Sequence, residues 1–523
     1  MRTFLLTLAL LLSAALSAQT ASGTARVGTR MIDQSGVEGQ YIDFGKPLYD
    51  FRYCEKGNYL LLMFRQSKNG KWKNKGEISL LRLDDKTVAW TKPFNYATAQ
   101  AFPTSHGVLT YEKGIITMLD DGAGYEVWRQ ERALAQVDDE NGVVMAYDYP
   151  QSKHLRGYGL DYGQELWEIK VPHNEGWGWN NVQRVDSTWL MVVNNDLTLL
   201  DPRTGEFYQY EAKTGIADTK AMLLSGLAAF GGAVAGAALA GAMVGGYGTG
   251  YYYYPVYIGN NVITGLHSNL CPMEGGHWLF ADRRKLVRLD KQLNVVWEHE
   301  LPEKTAAHSI LLAQDSLVYM LNMGVGWNGA AAKKAGRPFV AAYSVTNGKE
   351  VYMNMLSMKK DIIVDALLNT EGLFMMDDEG LSYKHRLTSP DVSQTTWNTA
   401  DHGKLRRIVS TPVYAHREGT TVFEQIPYDG QNCPVMNDSG TLFVVNKDLR
   451  IWKQYAPEEQ YYTLFDNGDS RWVCRRYMSE DLWVIHPLGV SEIHFDIPFR
   501  RLVRTHDAVY ASGADGKIYI LNI

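Results

Sequence analysis

The stretch Leu-Asp-Tyr-Gly-Gln-Glu-Leu-Trp-Glu-Ile-Lys-Val, residues 160–171, decides the fold, with Gly157-Tyr158-Gly159 leading into it. It reads as a strand end, a tight turn and the next strand. Leu160 closes the first strand, Asp161 to Gly163 turn the chain, and residues 165–171 alternate around Trp167. Asp suits such a turn because its side chain bonds nearby backbone, and Gly because it tolerates positive φ. The phrase recurs: LRLDDKTVAW at 81–90, MLDDGAGYEVW at 118–128, LLDPRTGEF at 199–207, VRLDKQLNVVW at 287–297 and AYSVTNGKEVY at 342–352. VVNKDLRIW at 444–452 is a later copy, and VYASGADGKIYIL at 509–521 closes the chain. Trp90, Trp128, Trp167 and Phe207 follow one another at intervals of 38, 39 and 40 residues. A period of that length, with one all-β unit per period, is the mark of a repeat fold.

Each period divides into four strands. In one unit they fall at 97–104, 107–111, 115–119 and 124–129; in the next at 133–137, 143–147, 157–160 and 165–171. Four antiparallel strands repeated radially make a β-propeller, which hides most sheet edges. The expected fold is therefore all-β, a single propeller of about eight four-stranded blades over 41–523, one or two weak units around 360–400 or 455–500 being mis-cut. Trp397 and Ile493 mark further fourth strands there. The last unit offers three strands, 502–504, 508–512 and 517–521, and no fourth. Residues 39–44 are expected to supply it.

The repeats GLDYGQELW and VYASGADGKIYIL resemble those of the pyrroloquinoline-quinone-like β-propellers. That superfamily includes quinoprotein dehydrogenases and a non-catalytic outer-membrane assembly propeller, so the resemblance implies the fold and leaves the function open. The dehydrogenases place their cofactor on the propeller axis with a catalytic Asp, a metal-binding carboxylate or amide set, a stacking Trp and often a vicinal disulfide. No vicinal Cys pair occurs here, and no motif places the metal set. No cofactor is expected.

Composition narrows the setting. The chain has 523 residues, 45% hydrophobic and 12% aromatic, and a net charge of −6 without long runs of one sign. Nucleic acid is not an expected partner. Arg2, the apolar run 4–12 and small residues at 13–18 read as a signal peptide over 1–18, followed by a polar lead over 19–40. The expected location is periplasmic or outer-membrane-associated. Cys54, Cys271, Cys433 and Cys474 allow three disulfide pairings, with buried thiols as the alternative. One stretch breaks the repeat, a Gly/Ala-rich insert over 213–260. Its core, 221–244, carries no charged residue, and as a helix it aligns Ala228, Gly232, Gly236 and Ala240 in a small-residue stripe. Blades on both sides of it argue against a single membrane crossing. It is expected to mediate self-association, partner packing or peripheral membrane contact.

No GxSxG, HExxH or P-loop is present, so no catalytic residue is named. The pairs Asp84–Asp85, Asp120–Asp121 and Asp377–Asp378 fall at strand ends, where capping of turns is the expected role. No metal site is expected. The functional signal is in the long connections. SKNGKWKNK (67–75) carries Trp72 among lysines that include Lys71 and Lys73. MGVGWNGAAAKKAGR (323–337) carries Trp327, Lys333 and Lys334, and VPHNEGWGWNN (171–181) carries Trp177 and Trp179. Loops on a rigid scaffold are where binding usually resides. The expected function is a non-catalytic binding or scaffold module for an envelope protein. A quinone-dependent oxidoreductase and a polysaccharide-binding propeller are the alternatives.

Overall fold

The structure is a computed structural model. It describes residues 25–31, 38–69, 71–150, 152–171, 179, 181–193, 196–217, 252–253, 262–328, 331–356, 362–368, 372–377, 380–385, 393–394, 399–409, 413–416, 422–427, 431–466, 471–486 and 491–521. The expected signal peptide 1–18, the expected insert core 221–244 with its four small residues, and Trp177 and Trp397 lie outside them.

The fold is an all-β propeller of about nine four-stranded blades. Among the described residues seven sheets have four strands, two have four plus an added edge strand, one irregular sheet has six, and two are two-stranded. That exceeds the eight expected: residues 365–394 form a four-stranded sheet of their own, and 460–494 belong to the six-stranded one. Among the described residues helix is confined to the short turns Glu274–Gly276, Thr399–His402 and Pro457–Glu459.

The chain divides into two compact units. The first comprises 1–131, 160–163 and 493–523. Its three sheets include Ala99–Thr104, Gly107–Glu112, Ile115–Leu119 and Glu126–Glu131, close to the strands read from sequence. Its terminal sheet joins both ends of the chain. Strand Glu38–Asp43 pairs antiparallel with Ile518–Leu521, placing Tyr41 opposite Tyr519, as expected for the missing fourth strand. Arg26–Met31 extends that sheet beyond it.

The second unit comprises 132–159 and 164–492. Its first sheet is built from Ala133–Asp138, Val143–Tyr147, His154–Gly159 and Glu165–Lys170. Tyr252–Tyr253 adds a fifth strand along Ala133–Asp138, so the aromatic tail of the predicted insert belongs in part to a blade. The flanks Ile216–Ala217 and Val262–Ile263 pair with each other. Late in the unit the repeat is interleaved: Val413–His416 and Phe423–Gln425 leave the 405–455 sheet and join the six-stranded one.

The recurring phrase acts as a dock between blades. Trp90, Trp128, Trp167 and Trp297 each donate an indole N–H to a turn carbonyl of the following blade: Asp120 at 3.0 Å, Leu160 at 3.0 Å, Pro202 at 2.8 Å and Val345 at 2.8 Å. Each ring also lies over that turn's glycine. At Gly163, with φ +66°, an added Cβ would sit 2.6 Å from the Trp128 ring. The glycine thus serves the turn and makes room for the preceding blade's tryptophan.

All four cysteines are free and buried, each within a different sheet. The disulfide alternative is set aside in favour of buried thiols.

Candidate functional site

Turn chemistry accounts for the aspartates. Asp85 accepts Thr87 N at 2.9 Å and Thr87 Oγ1 at 2.6 Å, which holds its carboxyl below the usual range. Asp120 accepts the amides of Ala123 and Tyr125, and Asp377 that of Gly380. These are the caps expected from sequence. Among the described residues no three His, Cys, Asp or Glu side chains gather as a metal-binding group.

The segment 67–75 is a hairpin. Tyr59–Lys68 and Lys71–Arg82 pair up to Ser67 opposite Trp72 and Lys68 opposite Lys71. The neighbouring strand pairs with Tyr59–Lys68 only as far as Phe64, and the other neighbour meets Lys71–Arg82 only from Lys75. Residues 65–68 and 71–74 therefore project as a two-stranded ribbon. Its inner side is aromatic. Trp72 meets Tyr49 edge-on at 5.1 Å, and the Arg65 guanidinium lies 4.6 Å from the Tyr49 centroid and 4.8 Å from that of Tyr96. Arg65 Nε also donates to Lys73 O at 2.8 Å, and Tyr96 Oη to Glu77 O at 2.8 Å. Trp72 is half-buried, whereas Lys71 and Lys73 are exposed. A sequence signal for this ribbon existed: Asn69-Gly70 is the preferred pair for a two-residue hairpin loop, and Asn69 has φ +53°.

The segment 323–337 also folds as a hairpin, Val325–Asn328 against Ala331–Lys334. Its base is held by Asn322, whose Nδ2 donates to Thr305 O and Arg337 O, both at 2.7 Å. Trp327 exchanges backbone hydrogen bonds with Thr264 at 2.8 and 3.0 Å, and its ring covers Gly265. His308 meets that ring edge-on at 4.7 Å, with His267 6.4 Å from His308 and stacked on Phe280 at 5.9 Å. Burial pushes the pKa of His308 down to about 4 and lowers that of His267. His267 Nδ1 donates to Ser268 O at 2.8 Å, while the buried His308 Nδ1 has no hydrogen-bond partner among the described residues. Lys333 and Lys334 are exposed at the hairpin's outer strand.

Trp179 is a core residue. It is 2% exposed, packs edge-on against Tyr147 at 6.4 Å and donates its indole N–H to Tyr147 Oη at 2.9 Å. Of the described tryptophans in the long connections, Trp72 and Trp327 pack at their hairpins and Trp179 in the core, and the lysines beside the first two reach solvent.

No family model matches the chain, and no curated protein matches it. Among solved structures it is similar to BamB from Moraxella catarrhalis, at 11% identity and a TM-score of 0.31, over 81% of this chain and 96% of that one. It is similar to the computationally designed Ika8 protein, at 10% identity and a TM-score of 0.32, over 75% of this chain and 97% of that one. It is also similar to the dihydro-heme d1 dehydrogenase NirN in complex with DHE, at 11% identity and a TM-score of 0.30, over 79% of this chain and 76% of that one.

Proposed function

We propose that this chain is an exported, non-catalytic β-propeller that binds a protein partner of the cell envelope through its lysine-bearing hairpins. The observation that carries the reading is the pair of projecting hairpins. Each is anchored by a packed tryptophan, Trp72 or Trp327, and each exposes lysines, Lys71 and Lys73 or Lys333 and Lys334. Anchoring lowers the entropy lost when such side chains engage a ligand. The aspartates that first suggested chemistry are occupied as turn caps.

The test is site-specific cross-linking in intact cells from position 71 and, separately, from position 333. A discrete product with one envelope protein, lost on charge reversal of the neighbouring lysines, supports the reading. Dye-linked oxidation by the purified chain supplied with quinone and calcium would overturn its non-catalytic part. Recovery of the chain in the cytoplasm alone would overturn export.

A further inference from the structure

The ribbon at 65–75 has an outer side opposite its aromatic one. Residues on a strand alternate between faces at ~3.4 Å per residue, so Lys71 and Lys73 project on one side about 7 Å apart, and Lys75 follows them across a register irregularity in which 73–75 face Gln66. Trp72 faces the other way, onto Tyr49. All three lysines are exposed. Lys68 stands directly opposite Lys71 and is exposed too, and directly opposed residues share a face. Like charges in that position repel. Among the described residues no carboxylate pairs with any of these four; Lys73 Nζ donates only to Gln66 Oε1 at 3.2 Å. The next acid along the strand, Glu77, is engaged by Lys46 at 2.6 Å.

We infer that this outer side is a docking strip for a short acidic segment of a protein partner, lying extended along the lysines with carboxylates at alternate positions. The inference rests on the reading that the propeller binds a protein. Charge complementarity selects an acidic occupant, and the molecule's own charge selects a short one. The chain carries a net −6. Fields from exposed charges are screened beyond ~10 Å at 0.1 M salt, so a short segment meets mainly the local lysines. A nucleic acid or an anionic bilayer extends past the strip and meets the negative remainder of the protein. The stack of Trp72, Tyr49, Arg65 and Tyr96 beneath holds the strip in place before the ligand arrives.

The test is fluorescence anisotropy of the full chain with a labelled ten-residue peptide of alternating Glu and Thr. Saturable binding is expected, weakened about tenfold by K71Q/K73Q/K75Q, because three exposed pairs act together, and weakened further between 50 and 500 mM salt. K291Q/K349Q, at exposed turn lysines outside both hairpins, leaves the affinity unchanged. Circular dichroism of both variants should match the parent chain. Equal binding by the triple variant overturns the inference, as does tighter binding of a 20-nucleotide DNA or of phosphatidylglycerol vesicles than of the peptide. The broader reading is separable. A partner cross-link from position 333 that survives K71Q/K73Q/K75Q, with no peptide binding, keeps the protein-binding function and removes the acidic strip. Peptide binding with no cross-linked partner at either position keeps the strip and removes the function.

Discussion

At the scale of single residues, two buried groups give stability opposite responses to acid. His308 has its pKa near 4 in the folded chain against an ordinary 6.5. The unfolded chain therefore takes up that proton first, and stability falls as pH drops from about 6.5 to about 4, by roughly 3 kcal/mol for this site. His267, next to it, acts in the same direction. Asp196 is held up to about 6 by burial against an ordinary 3.8, while accepting Gln209 Nε2 at 3.0 Å and Ala212 N at 3.2 Å. Here the folded chain takes up the proton first, so stability rises as pH falls from about 6 to 3.8, by a comparable amount. Urea midpoints at pH 7.5 and 4.5 separate the two. His308→Gln should lose less stability on acidification than the parent, and Asp196→Asn should lose more. Parallel shifts in all three proteins would contradict the assignment. None of this was legible in the sequence, where thirteen scattered histidines carry no burial label. Nor does the sequence label the burial of the loop tryptophans. A Trp in a Gly-rich loop reads as surface, yet glycines are what allow its ring to be covered, as Gly265 does for Trp327.

At the scale of elements, the dock of tryptophan over turn glycine explains which parts of the repeat could be read. Where it is present, strand boundaries were legible to within a few residues, because Trp90, Trp128 and Trp167 are each under 10% exposed and fix the period. Trp452 looks like the same element but is 44% exposed, and around it the sheets interleave. Without the dock, sequence spacing lost its physical cause. Residues 67–75, expected as a long connection, instead continue two strands of their sheet as a hairpin. Two glycine substitutions test the dock. Gly163 and Gly142 both have φ +66°, but an added Cβ meets the Trp128 ring at Gly163 and nothing within 4 Å at Gly142. Gly142→Ala should cost about 1 kcal/mol, the strain of a left-handed residue alone. Gly163→Ala should cost that plus about 1–3 kcal/mol for displacing a packed ring. It should also shift the tryptophan emission to longer wavelength as Trp128 becomes wetter. Equal costs for both variants would mean the ring does not need the glycine.

At the scale of the whole chain, the terminal sheet stitches together residues nearly five hundred positions apart. The pattern of three strands without a fourth made this pairing legible; the blade number was not, since around the exposed Trp452 the sheets interleave. Its content is specific. Ile42 is fully buried with Phe51, Leu60 and Ile518. Tyr41 and Tyr519 lie 6.0 Å apart, Lys517 sits 4.6 Å from the Tyr41 centroid, and Arg30 Nη1 donates to Tyr519 Oη at 3.1 Å. A chain beginning at residue 45 loses both added strands and leaves Ile518–Leu521 as an open edge. Bare edges invite pairing with other chains. That truncated protein should therefore melt several degrees below a chain beginning at residue 25 and aggregate on heating. A synthetic peptide spanning 25–44 should restore both properties in a concentration-dependent way, since a ligand that binds only the folded state stabilises it by mass action. The single substitution Ile42→Asp, which places a carboxylate at a fully buried position, should reproduce most of the loss and should abolish rescue when built into the peptide. If the truncated chain keeps the parent's melting temperature, or if the Ile42→Asp peptide rescues as well as the native one, the pairing is not what holds the two ends together.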